Sequence, residues 1–393
     1  MDRKNTIEKI ISQDLVVPEI VSKKEEEAFE QILKESKTFE NIESLKRCDG
    51  DRGINKVGLF KKFTSVAACI AIIAFAGVTG YAAIHHVWNE GMKGAIWTTD
   101  EQQQQLTNQG MAKVFGEQEN YKDLAVTDKG VTVCPETVVA DDHYIYLSFS
   151  ISGFQLPDMS EPGFDSIDCY LKSKKDKNAI NLYGASFYSG IIENKDGVRI
   201  YDDGSKIQYG TNGGMIGRYV NRKGQLEYNI FATVDDDSQN LLGEKLCVDI
   251  EGLGTVSHAV CNKIVDGNWN FEIPLPEISC AKTISIEKKI PKTVFSIYEM
   301  TLSPISMEIN YTVNGDVKIS EDENDVPEIC GVVLSDGTKL SNLSRGNATG
   351  YFNSSLSNAY ARTAFRQAIN VEDVRAILVQ RSPGETPIEI SIP

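Results

Sequence analysis

The residues of this 393-residue chain that could hold a metal or act as nucleophiles are four histidines, eight cysteines and a few runs of carboxylates. The histidines are His85, His86, His143 and His258. Zinc sites need several nitrogen or sulfur ligands at short spacings such as HExxH or paired CxxC, and none of the four lies in such a pattern. The neighbours His85 and His86 have no further ligand beside them and read as polar residues at a boundary. No GxSxG elbow, SxxK pair or phosphate-binding glycine loop occurs, so nothing positive points to a hydrolase or any other enzyme. The carboxylate runs "DDDSQN" (235–240) and "SEDENDVPE" (320–328) carry the oxygen ligands that calcium favours. Neither is a loop closed by a bidentate glutamate, so solvated acidic loops are expected. No catalytic residue, metal site or cofactor is expected.

The cysteines leave one question of chemistry open. Cys48 and Cys69 precede Cys134, Cys169, Cys247, Cys261, Cys280 and Cys330. Cys247 and Cys261 flank "VDIEGLGTVSHAV" and are a candidate disulfide if that segment folds back at its glycines, 252–254. The competing reading makes them small buried apolar residues on strands, and spacing alone does not decide between the two.

The element that organises the rest is "KKFTSVAACIAIIAFAGVTGYAAIHH", in which residues 63–84 carry no charge. As a helix at about 1.5 Å per residue it reaches roughly 33 Å, against a hydrocarbon core of about 30 Å. A membrane span is expected. Lys46, Arg47, Arg52, Lys56, Lys61 and Lys62 precede it, whereas His85, His86 and Glu90 follow. The positive-inside rule therefore places the N-terminus in the cytoplasm, with Tyr81 and Trp88 near the outer headgroups. Charge divides at the same place: residues 1–62 hold 13 basic and 13 acidic side chains, so the whole net charge of −16 follows them. That part has no basic stripe, which argues against direct nucleic-acid binding.

Five segments follow: a cytoplasmic helical arm (1–60), the span with its flanks (61–86), a helical linker (87–120), a first β-rich exterior domain (121–276) and a second of immunoglobulin-like size (277–393). In the arm, "VPEIVSKKEEEAFEQILKES" starts with Pro18 at a first helical position and gathers Val21, Phe29, Ile32 and Leu33 toward one side. So short a segment cannot build much of a core alone, so its apolar faces either pack weakly on each other or wait for a partner, and in the second case these four residues are the candidate partner-binding face. In the linker, "TTDEQQQQLTNQGMAKVF" is a weakly amphipathic helix, with Asp100 as its expected cap and Leu106, Met111 and Val114 as its large apolar residues.

Beyond residue 121 the period changes from helical to two. "KGVTVCPETVVADDHYIYLSFSISG" reads as two strands joined by a turn at Asp141 and Asp142, with Ile145, Leu147, Phe149 and Ile151 on one face and Tyr144, Tyr146, Ser148 and Ser150 on the other. "IDCYLKS", "NLYGASFYSG", "GVRIYDD", "GQLEYNIFATV", "EKLCVDIEGL" and "GNWNFEIPLP" continue the pattern. The second set is "AKTISIEKKI", "KTVFSIYEMTLSP", "SMEINYTV", "CGVVLSDGTKL", "YFNSS", "TAFRQA", "VRAILVQ" and "PIEISIP". The fold class expected is mainly β, with two extracellular antiparallel β-sandwiches of immunoglobulin-like type behind one transmembrane helix and a short α-helical arm.

The order of these pieces resembles a known family. "VPEIVSKKEEEAFEQIL", "FKKFTSVAACIAIIAFAGVTGYA", "GVTVCPETVVADDHYIYLSFSI", "GNWNFEIPLP" and "MTLSPISMEI" are similar to segments of Firmicutes single-pass membrane proteins with exterior domains of unknown function. Many members are described as anti-sigma factors for extracytoplasmic-function (ECF) sigma factors. The resemblance implies a cytoplasmic segment that sequesters an ECF sigma factor and an exterior sensor that controls its release. One anti-sigma class carries a zinc site of His and paired Cys. Here Cys48 is the one cysteine of the arm and no histidine precedes the span, so that zinc fold is not expected. The partners expected are an ECF sigma factor, the lipid bilayer and an unidentified extracellular ligand. The alternative is a cell-surface binding or adhesion module, anchored by the span, that recognises wall polymer, carbohydrate or protein. In that case exposed aromatics of "YIYLSFS" or "LYGASFYSG" form the platform.

Overall fold

The structure is a computed structural model that describes residues 88–115, 124–173, 180–193, 198–211, 213–234, 241–314, 326–352, 356–381 and 384–393. All of these belong to one unit, Ile70–Pro393. The expected arm and span, the run 235–240 and most of the run 320–328 lie outside the described residues. Among the described residues no helix is long and apolar enough to cross a membrane.

The described chain is mainly β, with all strand pairs antiparallel. Its first eleven strands are β1 (Ala112–Val114), β2 (Val126–Asp128), β3 (Val131–Ala140), β4 (Tyr144–Ser152), β5 (Glu161–Leu171), β6 (Asn181–Phe187), β7 (Ile191–Glu193), β8 (Arg199–Tyr201), β9 (Leu226–Thr233), β10 (Lys245–Ser257) and β11 (Val260–Pro274). One sheet runs in the order β1-β3-β4-β9-β6, with β2 also on β3; a second runs β11-β10-β5, and β7 pairs β8. The period-two residues explain why these two larger sheets meet. Ile145, Leu147, Phe149 and Ile151 project from β4 into the same core as Val248 and Ile250 from β10 and Trp269 and Phe271 from β11. The Trp269 indole donates to the Val131 carbonyl at 3.1 Å, so its polar edge is satisfied inside that core.

The remaining strands are β12 (Lys282–Lys289), β13 (Phe295–Leu302), β14 (Ser306–Val313), β15 (Glu328–Leu334), β16 (Lys339–Leu340), β17 (Ser344–Tyr351), β18 (Asn358–Phe365), β19 (Val374–Gln380) and β20 (Ile388–Ser391). They form sheets ordered β12-β13-β14-β18-β17 and β16-β15-β19-β20. Met300, Met307 and Ile309 of the first and Ile329, Val332 and Ile377 of the second share one core. "VEDVRAILVQ" enters its strand through a capped turn, where Asn370 accepts from the Glu372 amide. The strand expected at "YFNSS" instead lies mostly before it, over Ser344–Tyr351, because "SRGNATGY" is too polar and small to show alternation.

Two expectations change. The chain does not fold back at residues 252–254: β10 runs on to Ser257, and the reversal falls at His258 and Ala259, both at positive φ (53° and 62°). The glycines serve a bulge instead. Gly252 takes φ +58° where the register shifts, and a Cβ on Gly254 would stand 2.0 Å from the Asn262 carbonyl oxygen of the paired strand. The second change is that both faces of β4 are buried almost throughout. The Tyr and Ser face is covered as well as the apolar one, which directs attention to what covers it.

Candidate functional site

The cover is the segment that follows the expected span. It begins with helix α1 (Glu90–Ala95), capped by the Asn89 side chain, which accepts from the Met92 amide at 3.1 Å. Helix α2 (Asp100–Asn108) follows, and its cap is Thr99 and not the expected Asp100. Thr99 and Gln102 form a reciprocal capping box, whereas Asp100 sits in the first turn, where its charge complements the helix dipole. Of the large apolar residues predicted to mark this helix, only Leu106 lies within it. Met111 follows it and Val114 belongs to β1, and all three are buried.

Trp88, Met92 and Ile96 insert into one apolar cluster with Tyr146 of β4, Phe231 of β9, and Ile305, Ala364 and Ala368 from the second set of strands. Three regions of sequence therefore meet here, with Trp88 only 1% exposed. On the first set of strands the grip is made by side chains. The Gly91 amide donates to the Glu227 carboxylate, and Asn229 Nδ2 donates to the Gly91 carbonyl at 2.8 Å. The other Glu227 oxygen accepts from Asn221 Nδ2 at 2.6 Å. Burial pushes the Glu227 carboxyl upward from its ordinary range, with the hydrogen bonds from Asn221 and Gly91 opposing that shift. A Cβ at position 91 would stand 2.9 Å from Glu227 Oε2, so any other residue there displaces that carboxylate.

On the second set of strands the grip is made by main chain. The Trp97 amide donates to the Arg366 carbonyl at 2.8 Å, and the Ala368 amide donates to the Trp97 carbonyl at 2.9 Å. Gln102 Nε2 donates to the Ala368 carbonyl at 3.0 Å. The two sets of strands also touch directly. Asp141, buried at the turn before β4, accepts from the hydroxyls of Ser303 and Ser306 at 2.5 Å each, while its other oxygen accepts from the His143 and Tyr144 amides. The Tyr146 hydroxyl donates to the Phe365 carbonyl at 2.7 Å. His143 Nε2 lies 3.4 Å from Glu308, which pairs with Arg362 at 2.6 Å.

Beside this junction opens a cleft of about 980 Å³. Its walls come from the end of α1 and Trp97, from β7, from β16 and the chain leading into β17, and from Arg366 and Gln367 just after β18. Lys93, Lys339, Arg345 and Arg366 line it, with Glu193 as the one acidic lining residue among the described residues. Arg345 donates to the Ala95 carbonyl and lies over the Phe231 ring, 4.9 Å from its centroid. Trp97 stands at the cleft with 43% of its surface exposed, although its backbone is stitched to the second set of strands.

The residues singled out from sequence fare differently. Val21, Phe29, Ile32 and Leu33 lie outside the described residues. Cys247 and Cys261 are not brought together: Cys247 pairs with Glu272 and Cys261 with Val256, nine positions along β10, which is roughly 30 Å at the usual rise of a strand. Both are free thiols, as the competing reading of buried strand residues allows. Burial, helped by Glu272 and Asp165 respectively, raises both above the ordinary thiol range. Burial likewise pushes Cys134 and Cys330 to about 11 and Cys169 to about 12. None of these thiols is set up as a nucleophile at neutral pH. The aromatics of "YIYLSFS" are buried and supply no platform, whereas Tyr183 of "LYGASFYSG" is exposed and sits 6.0 Å from the Phe231 ring. Among the described residues no three His, Cys, Asp or Glu side chains gather as a metal would need.

No family model matches this sequence, and no curated protein does. Among solved structures, a conserved domain protein from Bacillus anthracis is similar over 66% of this chain and 78% of that one, with 16% identity and a TM-score of 0.37. A likeness this distant supports no inference about fold or function.

Proposed function

We propose that the chain is a single-pass membrane regulator with its N-terminus in the cytoplasm and two immunoglobulin-like β-sandwiches outside the cell. In this reading the arm holds an ECF sigma factor through Val21, Phe29, Ile32 and Leu33, and the exterior part reads the envelope and controls release. The resemblance of the span and the exterior segments to anti-sigma proteins favours it. The observation that carries it is the burial of α1 and its flanks between both sets of strands. A span attached to a passive anchor needs only a flexible tether, whereas here the first residues after the expected span are part of the junction itself. Any ligand that shifts one set of strands against the other must therefore move or release the segment leading to the membrane.

Burial of an apolar side chain in a partner interface contributes about 1.5–3 kcal/mol, so four such residues suffice to hold a partner against the ordering of a short helix. The test is co-purification of the full chain, in detergent, with the sigma factors of its own cell. The wild type is expected to retain one, and Phe29→Asp with Ile32→Asp to lose it; retention by the double variant rules this face out. The second reading, an anchored envelope-binding module, is favoured by the cleft lined with basic residues. Separate pull-downs with residues 1–60 and with 90–393 distinguish the two, because only the first reading places a sigma factor on the arm.

A further inference from the structure

We infer that the cleft beside α1 binds an anionic glycan, a polymer of sugar rings that carry carboxylate or phosphate groups. This deepens the sensor reading by naming a ligand class. Binding stands on the cleft alone, and only its regulatory consequence rests on that reading.

Charge is the first argument. In a chain of net charge −16, four cationic side chains against one acidic one is a local reversal of sign. Two of the cations are held by weak, exposed pairs: Lys93 lies 3.4 Å from Glu90, and Lys339 lies 2.9 Å from Glu389. Such pairs are easily given up for a better-placed anion. Arg366 commits its Nε to the Ser344 carbonyl at 2.9 Å, which fixes the plane of a guanidinium suited to two-pronged contact with carboxylate or phosphate.

Shape is the second argument. Trp97 presents an exposed indole at the cleft, and its backbone hydrogen bonds to Arg366 and Ala368 anchor the main chain that carries the ring. A rigid flat apolar surface beside spaced cations suits a sugar ring with its anionic substituents better than a free inorganic ion. Coupling is the third. Arg345 donates to the Ala95 carbonyl at the end of α1, so an anion drawn to Arg345 competes with a bond that holds this helix.

The experiment uses the full chain in detergent micelles, titrated calorimetrically with polygalacturonate (carboxylates), phosphomannan (phosphodiesters) and neutral dextran. At least one anionic polymer is expected to bind about tenfold or more tightly than dextran, a difference of about 1.4 kcal/mol, and the tighter of the two names the anion. Lys93→Glu with Lys339→Glu is expected to weaken that binding by about tenfold or more, and Trp97→Ala by several-fold. Equal affinity for dextran, or unchanged binding by the charge-reversed variant, overturns the inference. Should the double variant melt earlier than the wild type, Lys339→Glu alone, at a side chain 58% exposed, takes its place: weakened binding supports the inference and unchanged binding overturns it. Sigma-factor retention is scored on the same samples. No preference of the wild type for an anionic polymer, with sigma-factor retention intact, sinks only this inference, and no retention by the wild type, with polymer binding intact, sinks only the anti-sigma reading.

Discussion

The segment after the expected span is held on its two sides by different chemistry. Toward the first set of strands it is held by side chains, a buried Glu227 and Asn229 that clasp the two backbone groups of Gly91. Toward the second it is held chiefly by backbone, with Trp97 hydrogen-bonded to Arg366 and Ala368, and the Gln102 and Arg345 side chains adding one bond each. The first grip depends on residue identity and on the protonation of a buried carboxyl. The second depends chiefly on chain path. A junction built this way has one adjustable side and one largely fixed side, which suits the proposed role of a segment passing a signal to a membrane.

The largest effect is expected where both sides meet. Trp88→Ala removes the biggest side chain of the shared cluster and should cost about 3–5 kcal/mol, read as a fall in thermal midpoint by calorimetry. Glu227→Ala breaks only the side-chain grip. It leaves the Gly91 amide and the Asn221 amide group without their acceptor, at a cost of about 2–3 kcal/mol by denaturant titration. Gly91→Ala attacks the same grip by steric overlap and should cost about 1–2 kcal/mol. Trp97→Ala should change stability by less than about 1 kcal/mol, because the fixed side is held by its main chain and its ring is partly exposed. A large loss there would erase the distinction between the two sides.

Protonation sharpens the comparison. Burial raises the Glu227 carboxyl, so the folded state binds its proton more tightly than the unfolded state does. Stability from this group is therefore full below the ordinary carboxylate value of 4.5 and declines as pH rises through the raised folded value. Glu227→Gln should flatten that decline in a series of thermal midpoints against pH, whereas no such change is expected from Trp97→Ala.

Most strands were legible because alternation survives wherever one face meets solvent, as in "GNWNFEIPLP", whose residues alternate between exposed and buried along β11. The outer face of β4 and β9 was not. Glu227 and Asn229 have the polarity of a solvent face, and only the covering helix, distant in sequence, shows Glu227 to be buried and Asn229 half-buried. The reversal at His258 and Ala259 was missed because glycines ordinarily mark turns, and those at 252 and 254 served a bulge and a close strand approach instead. The α2 cap moved by one residue because Thr99 with Gln102 completes a reciprocal box that Asp100 does not. The basic cleft gathers Lys93, Lys339, Arg345 and Arg366 from three places in the chain, so no local window contains it.

The central claim is that the adjustable grip controls what the arm holds. Its most direct test compares the sigma factor recovered with the full-length wild type and with full-length Glu227→Ala, purified in parallel from the same cells. The account predicts recovery with the wild type and a loss of several-fold or more with the variant, at equal amounts of folded protein. Equal recovery from both, or none from either, contradicts it.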